Sequence, residues 1–135
     1  MLPRPLPLSL ALIVATMIAG AAIRFAPIGL PHSVVKYGGS ALWALAIYWM
    51  VSTLLPRLRI ATAAALAGSI ATTIEFAKLY HAPALDAFRL TLPGILIMGR
   101  YFSFRDILAY WLAIAAGACI DRALRPTRPD QRTNG

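Results

Sequence analysis

Charge is what this sequence has least of. Only 13% of its 135 residues are Asp, Glu, Lys or Arg, against roughly 25% in an ordinary soluble domain. A chain that is also 59% hydrophobic need not turn its whole surface to water. Acid is scarcer still: five Asp and Glu stand against 13 Lys and Arg, for a net charge of +8. There is one cysteine, Cys119, so no intrachain disulfide can form, and it reads as a small apolar packing residue. The sequence contains no cluster with zinc-ligand spacing, no phosphate-cradling glycine loop and no Gly-x-Ser-x-Gly elbow. No metal, cofactor or nucleophile is therefore expected.

Long apolar runs are what is there. Runs of about 20 apolar residues cross a bilayer as helices, and four are found: roughly 6–26, 33–55, 60–80 and 104–120. The basic residues sit mostly at their edges. That placement fits anionic lipid headgroups and topology signals better than nucleic acid. The expected fold is all-α: an integral-membrane four-helix bundle, one domain over 1–122, followed by a basic, proline-broken tail over 123–135. The first run could alternatively be a cleaved signal peptide, given Ala19-Gly20-Ala21. Its only early basic residue is Arg4, set among prolines, and its length favours a retained span.

Small residues recur every four positions in the third run. Ala61, Ala65, Ser69 and Thr73 form one face, with Ala64, Gly68 and Thr72 beside it; such faces let membrane helices approach closely. The link to the fourth run, "HAPALDAFRLTLPGILIMGRYFS", is long and holds an apolar piece too short to span. Pro93-Gly94 should break a regular helix there, so a re-entrant or interface-lying segment is expected. Backbone of that kind must be buried in protein or line a wet cavity.

An even number of spans puts both ends on one side, with Arg4, Arg57, Arg59, Arg122, Arg125, Arg128 and Arg132. The other side holds Arg24, Lys36, Lys78, Arg89, Arg100 and Arg105, interleaved with Glu75, Asp86 and Asp106. The first set reads as a topology signal, placing both termini in the cytoplasm and the long link outside. The second reads as a site facing outward.

Ionisable residues within a membrane are costly and need partners. Glu75 lies inside the third run. Lys78, three residues on, can pair with it along the helix, or Arg89 or Arg100 can reach it from the link. "SFRD" matches a capping box, with Ser103 as N-cap and Asp106 at the third helical position. Tyr110 follows Asp106 by one turn on the same face. His32 and His81 flank spans and read as interfacial residues.

These residues carry a resemblance. Glu75, then Gly99-Arg100, Ser103, Asp106 and Gly117 follow the order seen in the VanZ-like family of small bacterial membrane proteins. The fuller pattern of "HSVVKYGGSALWAL", "DAFRLTLPG" and "GRYFSFRDILAY" is similar to a sister family catalogued only as a domain of unknown function. Leu79 stands where VanZ-like proteins often have glutamine, and their early Asp-Lys-x-x-His motif is missing. The resemblance implies a membrane fold and a link to the cell envelope, without an established reaction.

The function expected is an outward-facing polar pocket of Glu75, Arg89, Arg100 and Asp106, with Lys36 and Tyr110 nearby. It would bind an anionic lipid or a lipid-linked envelope precursor, since arginines at a helix N-terminus suit phosphate or carboxylate. Were a reaction to occur there, Glu75 or Asp106 would be the general base and Arg100 the charge stabiliser. The alternative is a structural or accessory subunit whose charges only close the bundle.

Overall fold

The computed structural model describes residues 2–25, 29–97 and 102–127. Four long helices dominate it: α1 (Leu6–Phe25), α2 (His32–Leu54), α3 (Ile60–Ala77) and α6 (Phe104–Leu124). Each is long and apolar enough to cross a membrane. Two short helices, α4 (Pro83–Arg89) and α5 (Leu92–Ile97), lie between α3 and α6. The described residues contain no strand. Leu6, Leu10, Val14, Met17 and Ile18 of α1 and Leu108 and Leu112 of α6 are all exposed. Apolar faces of that extent suit lipid and not water.

The boundaries follow local chemistry. Pro56 stops α2 at Leu54, because proline cannot continue the helical ladder. A turn with Leu58 N–H donating to the Leu55 carbonyl at 3.1 Å then leads into α3. Pro126 follows the C-cap of α6 in the same way. α6 runs on to Leu124, so 123 and 124, expected to begin the tail, are helical. Residues 128–135 of that tail lie outside the described residues.

α2 is the central helix, packed on α1, α3 and α6, while α3 and α6 also pack on each other. Of the long helices, α1 packs on α2 alone. Lipid tails are as apolar as leucine, so hydrophobic burial does not drive these helices together; close packing and interhelical polar contacts do. The core combines Tyr48, Trp49 and Ile47 of α2 with Ala63, Ala67 and Ala71 of α3 and Ile114 of α6. Gly68 meets the Trp111 ring so closely that an added Cβ would lie 2.3 Å from it. Thr72 Oγ1 accepts a hydrogen bond from Trp111 Nε1 at 3.1 Å. The Gly68–Thr72 face therefore packs as expected. The Ala61–Ala65–Ser69–Thr73 face does not: all four are exposed. Small residues surround α3 on every side, and the face that turns inward is the one continuing to Glu75.

Two buried stripes place the polar chemistry. On α3 the stripe is Ala63, Ala67, Ala71 and Glu75. On α6 it is Asp106, Tyr110, Ile114, Gly117 and Asp121. Both have near-helical spacing, so each carboxylate is buried because it extends an otherwise apolar contact line. The α6 stripe has a carboxylate at either end, about 22 Å apart at 1.5 Å per residue.

The link folds as a pair of short helices. Pro93 is the second residue of α5, in the first turn, where its missing N–H costs no hydrogen bond, so it starts a helix and does not break one. Gly94 permits the tight α4–α5 junction: an added Cβ would lie 1.8 Å from the Phe88 carbonyl oxygen.

Candidate functional site

The buried ionisable residues gather at opposite ends of the bundle, around Glu75 and around Asp121. At the link end, Glu75 is fully buried. Its Oε2 accepts a hydrogen bond from the Tyr110 hydroxyl at 2.6 Å and pairs with Lys78 Nζ at 2.5 Å. Its Oε1 accepts the backbone N–H of Ser103 at 2.8 Å. One carboxylate thus ties α3 to the start of α6 twice and is neutralised along its own helix. Interhelical bonds of this kind suit a medium that offers no water as a competitor.

Asp106 is the second acid of this centre. It is buried and accepts a hydrogen bond from Ser40 of α2 at 3.2 Å. It lies within electrostatic range of Glu75, Lys36 and Lys78. Glu75, Asp106, Tyr110 and Lys36 are therefore brought together, across α2, α3 and α6. Ser103 occupies the N-cap position as expected, yet its side chain makes no capping bond. Glu75 takes the N-cap N–H from another helix, the part a capping box gives to the third helical residue, while Asp106 turns to α2.

Arg89 does not join Glu75. Its Nη2 donates to the Ala77 carbonyl at 2.5 Å and its Nη1 to the Tyr80 carbonyl at 2.8 Å. Nη1 also meets Asp86 Oδ1 at 3.1 Å. The last turn of a helix leaves carbonyls without intrahelical partners, and α3 ends at Ala77. Arg89 adds a charged donor at the last of these carbonyls and at the Tyr80 carbonyl just beyond it, and so pins α4 to the end of α3. At the same end, Arg24 Nη1 donates to the Ile95 carbonyl at 3.1 Å, joining α1 to α5. Arg100 lies outside the described residues.

The second centre was not expected. Asp121 of α6 is fully buried. Its Oδ1 is hydrogen-bonded and ion-paired with Arg4 Nη1. Its Oδ2 accepts from the Tyr48 hydroxyl at 2.5 Å. Arg125 closes the group with Nε and Nη2 at 3.0 Å from the two carboxylate oxygens. Arg4 also donates to Ser52 at 2.7 Å and Ser9 at 3.3 Å, and stands 4.8 Å over the Trp49 ring. With Leu2 N–H donating to the Pro126 carbonyl at 3.1 Å, the segment before α1 is fastened to the end of α6. The sequence signal was present but faint: Asp121 precedes Arg125 by one helical turn, and Tyr48 sits inside an apolar run.

Together these contacts take the acids inward with Arg4, Lys78, Arg89 and Arg125 as partners or neighbours, and leave other arginines outside. Glu75, Asp106 and Asp121 are buried and Asp86 is half-buried, whereas Arg57, Arg59, Arg105 and Arg122 are exposed. Among the described acids only Asp86 keeps a partly exposed carboxylate. The arrangement can hold helices together from within and can attract anions from without.

The family described as "Protein of unknown function (DUF2809)" matches residues 29–114, well over half of the chain. The matched span contains every residue of the Glu75 centre. Of the Asp121 centre it contains Tyr48, Trp49 and Ser52, but not Arg4, Asp121 or Arg125. No solved structure matches the chain.

Proposed function

The chain belongs to this family of unknown function, and from that premise we propose that it is a small multi-pass protein of the bacterial inner membrane that binds an anionic lipid or a lipid-linked envelope precursor. One observation carries the reading: the described acids are drawn inward or half-covered, while four arginines face outward at the helix ends. A basic residue near an anionic bilayer surface contributes about 1 kcal/mol of attraction. Arginine adds a planar fork that matches phosphate. The order of Glu75, Gly99-Arg100, Ser103 and Asp106, which resembles that of VanZ-like proteins, supports an envelope setting. In this reading the Glu75 centre serves the site indirectly. It fixes the start of α6, and with it Arg105, while Lys36 stays half-exposed beside it.

The test is lipid selectivity. The full chain, released from mixed vesicles of phosphatidylglycerol and phosphatidylcholine, is weighed by native mass spectrometry. Selective retention of phosphatidylglycerol supports the reading; equal retention of both lipids removes it. A second reading, an accessory subunit without a ligand, is favoured by the closure of both centres, since Glu75 and Asp121 are each fully buried. That reading gains if equal retention is found.

A further inference from the structure

At the end of the bundle where the segment before α1 meets the end of α6, that segment, the α2–α3 turn and the last turns of α6 line an open cavity of about 900 Å³. Leu2, Leu58 and Ala118 supply apolar walls, and Arg57, Arg59 and Arg122 supply basic ones, with Arg125, already paired to Asp121, behind them. Arg57, Arg59 and Arg122 are exposed, and among the described residues no carboxylate lines the cavity. Asp121 lies next to Arg122 in the chain, but both of its oxygens are taken by Arg4, Tyr48 and Arg125. The cavity therefore keeps its positive charge. Its volume is large for a small-molecule pocket, which runs to roughly 300–1,000 Å³, and it sits at the helix ends, where headgroups lie.

We propose that this cavity binds an anionic glycerophospholipid, with the phosphate between Arg57, Arg59 and Arg122 and the start of an acyl chain against Leu2, Leu58 and Ala118. The chemistry requires both features at once. Arginine forks pair with phosphate oxygens, and apolar walls accept hydrocarbon that a free phosphate ion lacks. This inference rests on the anionic-lipid reading above and adds one defined lipid position at the end opposite the Glu75 centre, separate from Arg105 and Lys36.

The protein carries its own reporter. Cys119 lines the same cavity, is exposed, and is the chain's single cysteine. The full chain is placed in nanodiscs of phosphatidylcholine with and without phosphatidylglycerol, and the rate of Cys119 labelling by a water-soluble maleimide is followed. Phosphatidylglycerol should slow the labelling, and soluble inorganic phosphate should not. Arg57→Gln and Arg59→Gln should each raise the phosphatidylglycerol fraction needed for protection about fivefold. Ala61→Trp, at an exposed position lining the cavity, should fill it and remove the lipid dependence without lowering the melting temperature. The proposal is overturned if phosphatidylglycerol does not slow labelling, if the arginine variants keep full protection, or if phosphate alone protects. Native mass spectrometry of the same samples separates the two levels. Phosphatidylglycerol adducts without Cys119 protection would remove this site and leave the lipid reading, whereas the loss of adducts and protection together would remove both.

Discussion

Replacing Asp121 with asparagine should be among the most damaging single changes in this protein. The carboxylate is fully buried, with Arg4 and Arg125 only 8% and 7% exposed beside it. The amide side chain would keep one acceptor oxygen and lose the charge. Two arginines and the Tyr48 hydroxyl would then compete for a single oxygen, and two like charges would remain together with no counter-ion. Breaking a buried pair from one side costs about 3–5 kcal/mol, mostly from the charge left behind. Arg4→Gln should cost less, because Arg125 still bonds both carboxylate oxygens at 3.0 Å. The double change Asp121→Asn with Arg4→Gln should cost less than the sum of the two, since one orphaned cation is removed along with its partner. Thermal unfolding in a fixed detergent, followed by near-ultraviolet circular dichroism, reads all three through Tyr48 and the Trp49 ring under Arg4. Equal damage from Asp121→Asn and Arg4→Gln with additive effects, or no damage from Asp121→Asn, would refute the idea that this centre is dry and mutually paired.

Other expectations follow from single contacts. Glu75→Gln and Tyr110→Phe, combined in a double-mutant cycle, should show a coupling of about 0.6–1.7 kcal/mol, the average and upper value for interhelical hydrogen bonds in membranes; additive effects would mean the two do not meet. Ser103→Ala should cost well under the ~1 kcal/mol usual for an N-cap, because its side chain makes no capping bond and the N–H that Glu75 accepts is unchanged; a full capping loss in the melting curve would contradict that. Gly68→Ala should destabilise by about 1–3 kcal/mol through overpacking against Trp111, whereas Gly20→Ala, whose new methyl would lie 3.7 Å from Leu42, should melt no lower than the wild type. A C-terminal green fluorescent fusion should be bright and an alkaline phosphatase fusion inactive, with the reverse pair placing the termini outside.

The four spans were legible because membrane helices announce themselves by length and apolarity, and because Pro56, Ser103 and Pro126 punctuate them. The Glu75–Asp106–Tyr110 grouping was legible for a related reason. A carboxylate inside an apolar run must be answered, and Asp106 and Tyr110 stand one turn apart. What was not legible depended on partners that side-chain patterns do not reveal. Arg89 spends its donors on backbone carbonyls at the end of α3, and a carbonyl leaves no mark in a sequence. Arg4 and Asp121 are 117 positions apart, and an arginine among prolines beside a membrane span looks like a topology signal. On α3, Ala and Thr occupy every face, so spacing alone could not choose between the Ala61 line and the Ala63 line. The position of Glu75 decides it, because the buried acid marks the inward side.

The most direct measurement of the lipid reading compares the wild type with one variant in which Arg57, Arg59, Arg105 and Arg122 are all changed to Gln. These four are exposed and none contributes to either buried centre, so the bundle should remain folded. Both proteins are released from vesicles of equal phosphatidylglycerol and phosphatidylcholine content and weighed by native mass spectrometry. The wild type should retain phosphatidylglycerol selectively, and the variant should retain the two lipids equally at an unchanged melting temperature. A folded variant that kept the full preference for phosphatidylglycerol would contradict the claim that the outward arginines are what this protein uses to hold its ligand.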